Sequence, residues 1–197
     1  EKDAGIIADS IVYAHRAGVP SHGIGRLPIY LDMLEKGWIK PNQEVEEVSR
    51  KGAVLLLDAG HGFGQTAACQ ALERGAQLAA LHSLALVGVR NSNNFGTASY
   101  FGRMAAERGL ICLIFANAAP AMAPPGGGRA IMGTNPLCIA LPGSTSRPPL
   151  VLDMAMTVAA RGKIRQAARL GQMIPDNWAL DSEGKATRDP HEALKGS

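Results

Sequence analysis

The chain has 197 residues, enough for one domain or two small ones, and its 46% hydrophobic and 19% charged residues are the balance of a folded globular protein, not a disordered one. The net charge of +3 is spread without a basic run and aromatics are only 5%, which argues against a nucleic-acid footprint, a polybasic membrane patch and a base-stacking platform. No segment reaches about 18 uninterrupted apolar residues, so no membrane-spanning helix is expected. The three scattered cysteines, Cys69, Cys112 and Cys138, read as buried free thiols of a reducing compartment; a disulfide framework or a zinc site would need clustering.

Asp3 can cap a helix over 4–17, with Ile7, Ile11 and Ala14 on one face and Gly18 as its stop. Pro20-Ser21-His22-Gly23 is a break. A second helix is expected over 27–36, with Pro28 in its first turn and Gly37 at its end. Ala53–Leu57 is a short buried strand, Gly60–Gly64 a tight loop and Gln65–Leu81 an Ala-rich helix. Leu84–Val89 is a strand, Asn91–Gly96 a polar loop, and Thr97 caps a helix to Arg108, closed by Gly109. Leu110–Phe115 is a strand. The Pro- and Gly-rich stretch 118–133 is expected to be irregular. Leu137–Leu141 and Leu150–Leu152 are strands, Met156–Leu170 is a helix, and the tail from Gly171 is polar without a closing element. Strands alternating with helices make the class α/β or α+β.

Several stretches could carry chemistry. In Ser21-His22-Gly23-Ile24-Gly25-Arg26, a histidine sits in a glycine-flanked break four residues before an arginine. Histidine can give or take a proton near neutral pH, and arginine grips a carboxylate at two points, so the pair suits a small carboxylate with a hydroxyl or carbonyl beside it. A capping serine, a solvated histidine and a surface arginine would look the same. Gly60-x-Gly62-x-Gly64 fails as a dinucleotide fingerprint, because Gln65 stands where the third glycine belongs and no acidic residue follows about 20 positions on. It reads instead as a strand-to-helix turn needing positive φ.

Asn91-Ser92-Asn93-Asn94-Phe95-Gly96-Thr97, between a strand and a helix, can hold a phosphate or a cofactor amide, or be an ordinary turn. Gly133-Thr134-Asn135-Pro136 allows close backbone approach. Asp153, in Val151-Leu152-Asp153-Met154-Ala155, is an acid ending an apolar strand. It needs a partner if buried, or it caps the helix that follows. Asp181-Ser182-Glu183-Gly184 lacks the last ligand of a calcium loop and reads as a turn. No metal site is expected.

Taken in order, Ser21-His22-Gly23-x-x-Arg26-Leu27-Pro28, Asn91-Ser92-Asn93 with Phe95-Gly96, Gly133-Thr134-Asn135-Pro136-Leu137, Asp153-Met154-Ala155, Gly162-Lys163 and Ile174-Pro175-x-x-Trp178-Ala179-x-Asp181 resemble the malate/L-lactate dehydrogenase family. That family also includes sulfolactate and ureidoglycolate dehydrogenases and a piperideine-carboxylate reductase. The resemblance covers nearly the whole chain and is specific as a set. It implies a non-Rossmann, predominantly antiparallel sheet that binds NAD or NADP, with flanking helices and a helical N-terminal segment. It implies a helical segment over 1–52 carrying the substrate motif, and a cofactor-binding domain over 53–197, incomplete at its C-terminal end. It further implies a cytoplasmic homodimer acting on a small 2-hydroxy or 2-oxo acid, with no nucleic acid or membrane partner.

By this resemblance Ser21, His22 and Asp153 match the catalytic set, and Arg26 matches the clamp on the substrate carboxylate. Asn94, Phe95, Gly96, Thr97, Thr134, Asn135, Pro136, Asp153, Met154 and Ala155 match cofactor contacts. The chain departs from the family pattern at Asn94, where members commonly carry a histidine, and it stops before a Lys-Gly-Tyr-Gly stretch. Two other readings stay open: a hydrolase built on Ser21 and His22, and an incomplete, non-catalytic fragment acting in binding or assembly.

Overall fold

The computed structural model describes residues 2–196. Helix α1 (Lys2–Arg16) begins slightly before the expected start, so Asp3 lies in its first turn and does not cap it. Ile11 and Ala14 are buried and Ile7 half-buried, which is the apolar stripe the spacing calls for. Gly18, at φ +75°, ends the helix, and the Gly18 and Val19 N–H groups donate back to the carbonyls of His15 and Ala14. A short 3-10 turn (Ile24–Arg26) leads into α2 (Leu27–Glu35), with its proline in the first turn and Gly37 at φ +70° beyond its end.

Strand β1 (Glu46–Lys51) was not expected, because every one of its residues is exposed and polar alternation is absent. It exists as an edge strand, held antiparallel to β2 (Val54–Asp58) with a bulge between Glu47 and Ser49. Helix α3 (Gly64–His82) crosses over to β3 (Leu86–Arg90), which pairs parallel with β2 and places Val54 opposite Leu86. Leu55, Leu57, Ala67 and Leu78 form the core of this β-α-β unit, with Val87 packed against it. Helix α4 (Ala98–Glu107) follows. Thr97 holds its cap position, but its Oγ1 makes no cap hydrogen bond, contrary to expectation.

Strands β4 (Cys112–Phe115), β7 (Leu137–Leu141) and β8 (Leu150–Met154) form a second sheet in the order β4-β7-β8. The Pro- and Gly-rich stretch between β4 and β7 is not wholly irregular: β5 (Pro120–Met122) and β6 (Met132–Gly133) pair antiparallel within it. Helix α5 (Arg161–Leu170) starts five residues later than expected, with Ala160 at its cap position, so Asp153 does not cap it. The tail does close: α6 (Pro190–Lys195) is capped by Asp189, whose Oδ1 accepts from the His191 N–H at 2.8 Å. Ile164, Ala167, Ile174, Ala179 and Ala193 form the core there. The Asp181 turn is as expected, with Oδ1 accepting from the Glu183 and Lys185 N–H groups.

The mixed α/β class is observed. The chain packs as two compact units, Glu1–Cys112 with Ala140–Val151, and Leu113–Ile139 with Leu152–Ser197. None of the three cysteines is in a disulfide; Cys138 is buried, and burial raises the thiols of half-buried Cys69 and Cys112 above their ordinary value.

Candidate functional site

In the first unit, the break after α1 is a run of tight turns. The His22 N–H donates to the Val19 carbonyl and the Arg26 N–H to the Gly23 carbonyl. Gly23 lies on α1 so closely that a Cβ there would meet the His15 backbone at about 2.9 Å, which explains glycine beside His22. The exposed Ser21 Oγ sits 3.1 Å from the His22 Nδ1.

Arg26 lies one helical turn before Tyr30, and its guanidinium carbon is 5.7 Å from the Tyr30 ring centroid. The Arg26 Nε is buried without a hydrogen-bond partner. An unmet buried donor costs about 1–3 kcal/mol, so an arginine held this way suits an anionic ligand that would meet it. Tyr30 is 1% exposed. Burial raises its phenol above the ordinary value, against the opposing pull of the Arg26 charge. Its hydroxyl donates to the Asn94 Oδ1 at 2.7 Å and accepts from the Gln65 Nε2 at 3.0 Å.

Residues 91–97 divide by task. The Asn93 Nδ2 donates to the carbonyls of His61, Gly62 and Trp38 at 2.8, 3.0 and 3.2 Å. The Asn91 Nδ2 donates to the Asp58 carboxylate at 2.8 Å, which also accepts from Arg90 and from the Gly60 N–H. Hydrogen bonding by the Gly60 N–H and then by Arg90 lowers the Asp58 carboxyl below its usual range. These two asparagines thus fasten the loop onto Gly60–Gly64, where Gly60 has φ +55° as the turn reading requires. A Cβ on Gly64 would collide with the Asn93 carbonyl oxygen.

Asn94 differs: its Oδ1 accepts from Tyr30 and, at 3.2 Å, from the Gly96 N–H. The Phe95 ring lies 5.7 Å from that of Phe101. Gly96 takes φ +83°, and the Thr97 Oγ1 is buried without a partner.

In the second unit, Thr134, Asn135 and Pro136 are engaged by backbone groups. The Thr134 carbonyl accepts from the Met156 N–H at 2.8 Å, which brings this loop against the segment after β8. The Asn135 Oδ1 accepts from the Ala118 N–H at 3.0 Å, and the Pro136 carbonyl from the Ala116 N–H. A Cβ on Gly133 would strike the Ala118 carbonyl oxygen, so this glycine serves close approach, as its sequence context predicts. Asp153 and Met154 are exposed at the end of β8, and Ala155 is half-buried.

A pocket of about 270 Å³ opens beside Thr134, walled by Met122, Ala123, Thr157, Arg161, Trp178 and others. Its apolar walls, with Thr134 and Arg161 at the polar edge, fit one flat ring of a dinucleotide; the Thr157 hydroxyl already donates to the Ala159 carbonyl at 3.0 Å. The Arg161 guanidinium donates to the Leu194 carbonyl at 2.7 Å, which sets its orientation.

Ser21, His22, Arg26 and the 91–97 loop therefore lie in the first unit, and Thr134–Pro136 and Asp153–Ala155 in the second. Sequence reasoning missed Tyr30 and Gln65. The signal for Tyr30 was its place four residues after Arg26, on the same helical face; nothing local marks Gln65. Among the described residues no group of three or more His, Cys, Asp or Glu side chains could hold a metal, and no helix is long and apolar enough to cross a membrane.

A family model described as malate/L-lactate dehydrogenase matches residues 1–197. The chain is 42% identical over 197 residues to the L-sulfolactate dehydrogenase of Methanothermobacter thermautotrophicus, covering 100% of this chain and 57% of that protein. It is 38% identical over 195 residues to the (2R)-3-sulfolactate dehydrogenase (NADP(+)) of Chromohalobacter salexigens, covering 99% of this chain and 58% of that one. The solved structure of sulfolactate dehydrogenase from Methanocaldococcus jannaschii superposes with a TM-score of 0.89 at 40% identity, covering 99% of this chain and 56% of that chain. The chain thus spans a little over half the length of the curated relatives it matches.

Proposed function

Because the chain belongs to the malate/L-lactate dehydrogenase family, we propose that the whole protein oxidises a small 2-hydroxy acid, and reduces the matching 2-oxo acid, with NAD or NADP. The observation that carries this reading is Arg26, stacked over Tyr30 with a buried, unmet Nε, one turn from the glycine-flanked His22. Relatives named as hydroxy-acid dehydrogenases, one of them NADP-dependent, support it.

A bound nicotinamide supplies or accepts the hydride. Arg26 grips the substrate carboxylate at two points and so fixes which face of the carbonyl is presented. His22 holds a proton at Nε2 and gives it to the oxygen that becomes the hydroxyl, with the Ser21 Oγ 3.1 Å from Nδ1 to orient the ring. In the reverse direction Nε2 takes that proton back. Asp153 is the proposed carboxylate of the catalytic set.

Thr134, Asn135, Pro136, Asp153, Met154 and Ala155, together with the Asn94–Thr97 segment, are the proposed cofactor contacts, and Asn94 is proposed to orient the substrate as well. The pocket beside Thr134 fits one ring of the group. We place the protein in the cytoplasm as a homodimer.

The test is a panel of 2-hydroxy and 2-oxo acids, malate, lactate and sulfolactate among them, followed at the nicotinamide absorbance with each cofactor. Turnover of at least one pair is expected. Hydrolysis of an ester or amide with no nicotinamide signal would replace this reading with one built on Ser21 and His22.

A further inference from the structure

The network around Tyr30 runs in one direction. A backbone N–H can only donate, so the Gly96 N–H requires the oxygen of the Asn94 amide, not its nitrogen, to face inward. With Oδ1 inward, the Tyr30 hydroxyl must give its single hydrogen to that oxygen at 2.7 Å. Having given it, the hydroxyl can only accept from Gln65, so Gln65 turns Nε2 toward it and leaves Oε1 buried and unmet. Gln65 is 0% exposed and Tyr30 1% exposed, so water does not replace either partner. The chain keeps an orphaned buried oxygen in order to hold this orientation. One fixed backbone donor thus sets three side chains, and the half-buried Asn94 presents Nδ2 outward.

We propose that Tyr30 is a positioning residue whose hydroxyl, backed by Gln65, locks the Asn94 amide so that Asn94 meets a ligand only as a hydrogen-bond donor. The ligand atom on Asn94 is therefore an oxygen acceptor, such as a carbonyl or carboxylate oxygen of the 2-oxo acid; this part rests on the function proposed above. The amide cannot turn over to offer its oxygen without breaking two hydrogen bonds at once.

Three variants of the full-length protein test this. Tyr30→Phe removes the lock with little change of shape, and the KM for the 2-oxo acid should rise about tenfold with a smaller change in kcat, the worth of one oriented hydrogen bond. In an Asn94→Ala background Tyr30→Phe should add nothing further, because its effect passes through Asn94. Asn94→Asp keeps an inward oxygen for Tyr30 and Gly96 but turns an acceptor outward, and should raise KM more than Tyr30→Phe does while the melting temperature stays near the parent's.

The readout independent of turnover is the side-chain amide of Asn94 in 15N-labelled protein, whose signals should shift and broaden in Tyr30→Phe. Equal KM losses from Tyr30→Phe with and without Asn94, or unmoved Asn94 amide signals, overturn the proposal. Moved amide signals in a protein that turns over no 2-oxo acid support the positioning role and overturn the proposed function. If Tyr30→Phe does not fold, Asn94→Asp alone decides, and an unchanged KM there overturns the proposal.

Discussion

Around Arg26 the polar side chains hold one another and leave atoms unmet, whereas around Thr134 the chain is held by backbone groups and encloses space. The four buried side-chain atoms without a partner, Arg26 Nε, Gln65 Oε1, Thr66 Oγ1 and Thr97 Oγ1, all lie in the first unit among the described residues. The second unit offers the pocket beside Thr134, its walls set by β5, the start of α5 and the Trp178 segment. On the function proposed above, the first region would meet charge and hydrogen bonds, and the second would meet shape. A protein that binds a small anion and a large flat cofactor needs one of each, and variants can separate the two.

The largest effect is expected at His22. In the full-length protein His22→Ala should lower kcat by about 10²–10⁴, the usual worth of general acid–base help. The imidazole-like limb of the parent's pH profile should vanish with it, and cofactor affinity should hold. A mild effect here, paired with a gain of a hundredfold or more on Asn94→His, would assign proton transfer to the 94 position instead; the expected change for Asn94→His is below about tenfold.

Next is Arg26. Arg26→Lys keeps the charge and loses the fork and the stacking over Tyr30, so KM for the acid should rise by about 10–100-fold, matching about 1–3 kcal/mol. Cofactor affinity should barely move. Equal weakening of both ligands would break the division between the two regions. The complementary variant is Ala123→Leu, which fills the pocket beside Thr134. It should weaken the cofactor several-fold and leave the acid's KM alone, since about one to three methylene-sized clashes are at stake. Unchanged cofactor affinity would take the pocket away from the cofactor.

The two regions also differ in how far the sequence disclosed them. Helices α1, α2, α3 and α4 and strands β2, β3 and β7 carry their own periodicity, with glycine stops after α1, α2 and α4, and were legible within a few residues. Strand β1 was not, because a fully exposed edge strand has no buried face to write a pattern. Strands β5 and β6 hide in a Pro- and Gly-rich stretch, since two or three residues paired across a loop leave no local trace.

Within the candidate site, the residue types of Ser21, His22, Arg26 and the 91–97 loop pointed to chemistry. The sorting of three asparagines did not: Asn91 and Asn93 fasten the loop and Asn94 faces Tyr30, a difference made by partners 31 to 64 residues away in the chain. Gln65, read only as a missing glycine, proved to be the buried brace of Tyr30. Its role depends on two helices meeting, which no local spacing records.

The smallest effect is at the clamp that holds the first region's loop in place. Asp58 joins the Gly60 N–H, Arg90 and Asn91 through one carboxylate, and these donors hold its pKa below the ordinary value in the folded chain. A carboxyl lowered on folding adds stability that is present above its unfolded pKa and is lost as pH falls through the folded one. The melting temperature should therefore drop on acidification through and below the usual carboxylate range, and part of that drop should belong to Asp58. Asp58→Asn keeps the shape and one acceptor oxygen but removes the charge. It should melt a few degrees below the parent at neutral pH, because solvent-facing ion pairs contribute little. The gap should narrow as pH falls, since the parent then loses the same charge. Amide exchange should localise the loss to Gly60–Gly64 and Asn91–Asn94, with Thr134 and Asn135 unaffected. A gap that stays constant down to strongly acidic pH would mean that the Asp58 charge does not hold the loop. Faster exchange at Thr134 and Asn135 as well would mean that the two regions do not loosen separately.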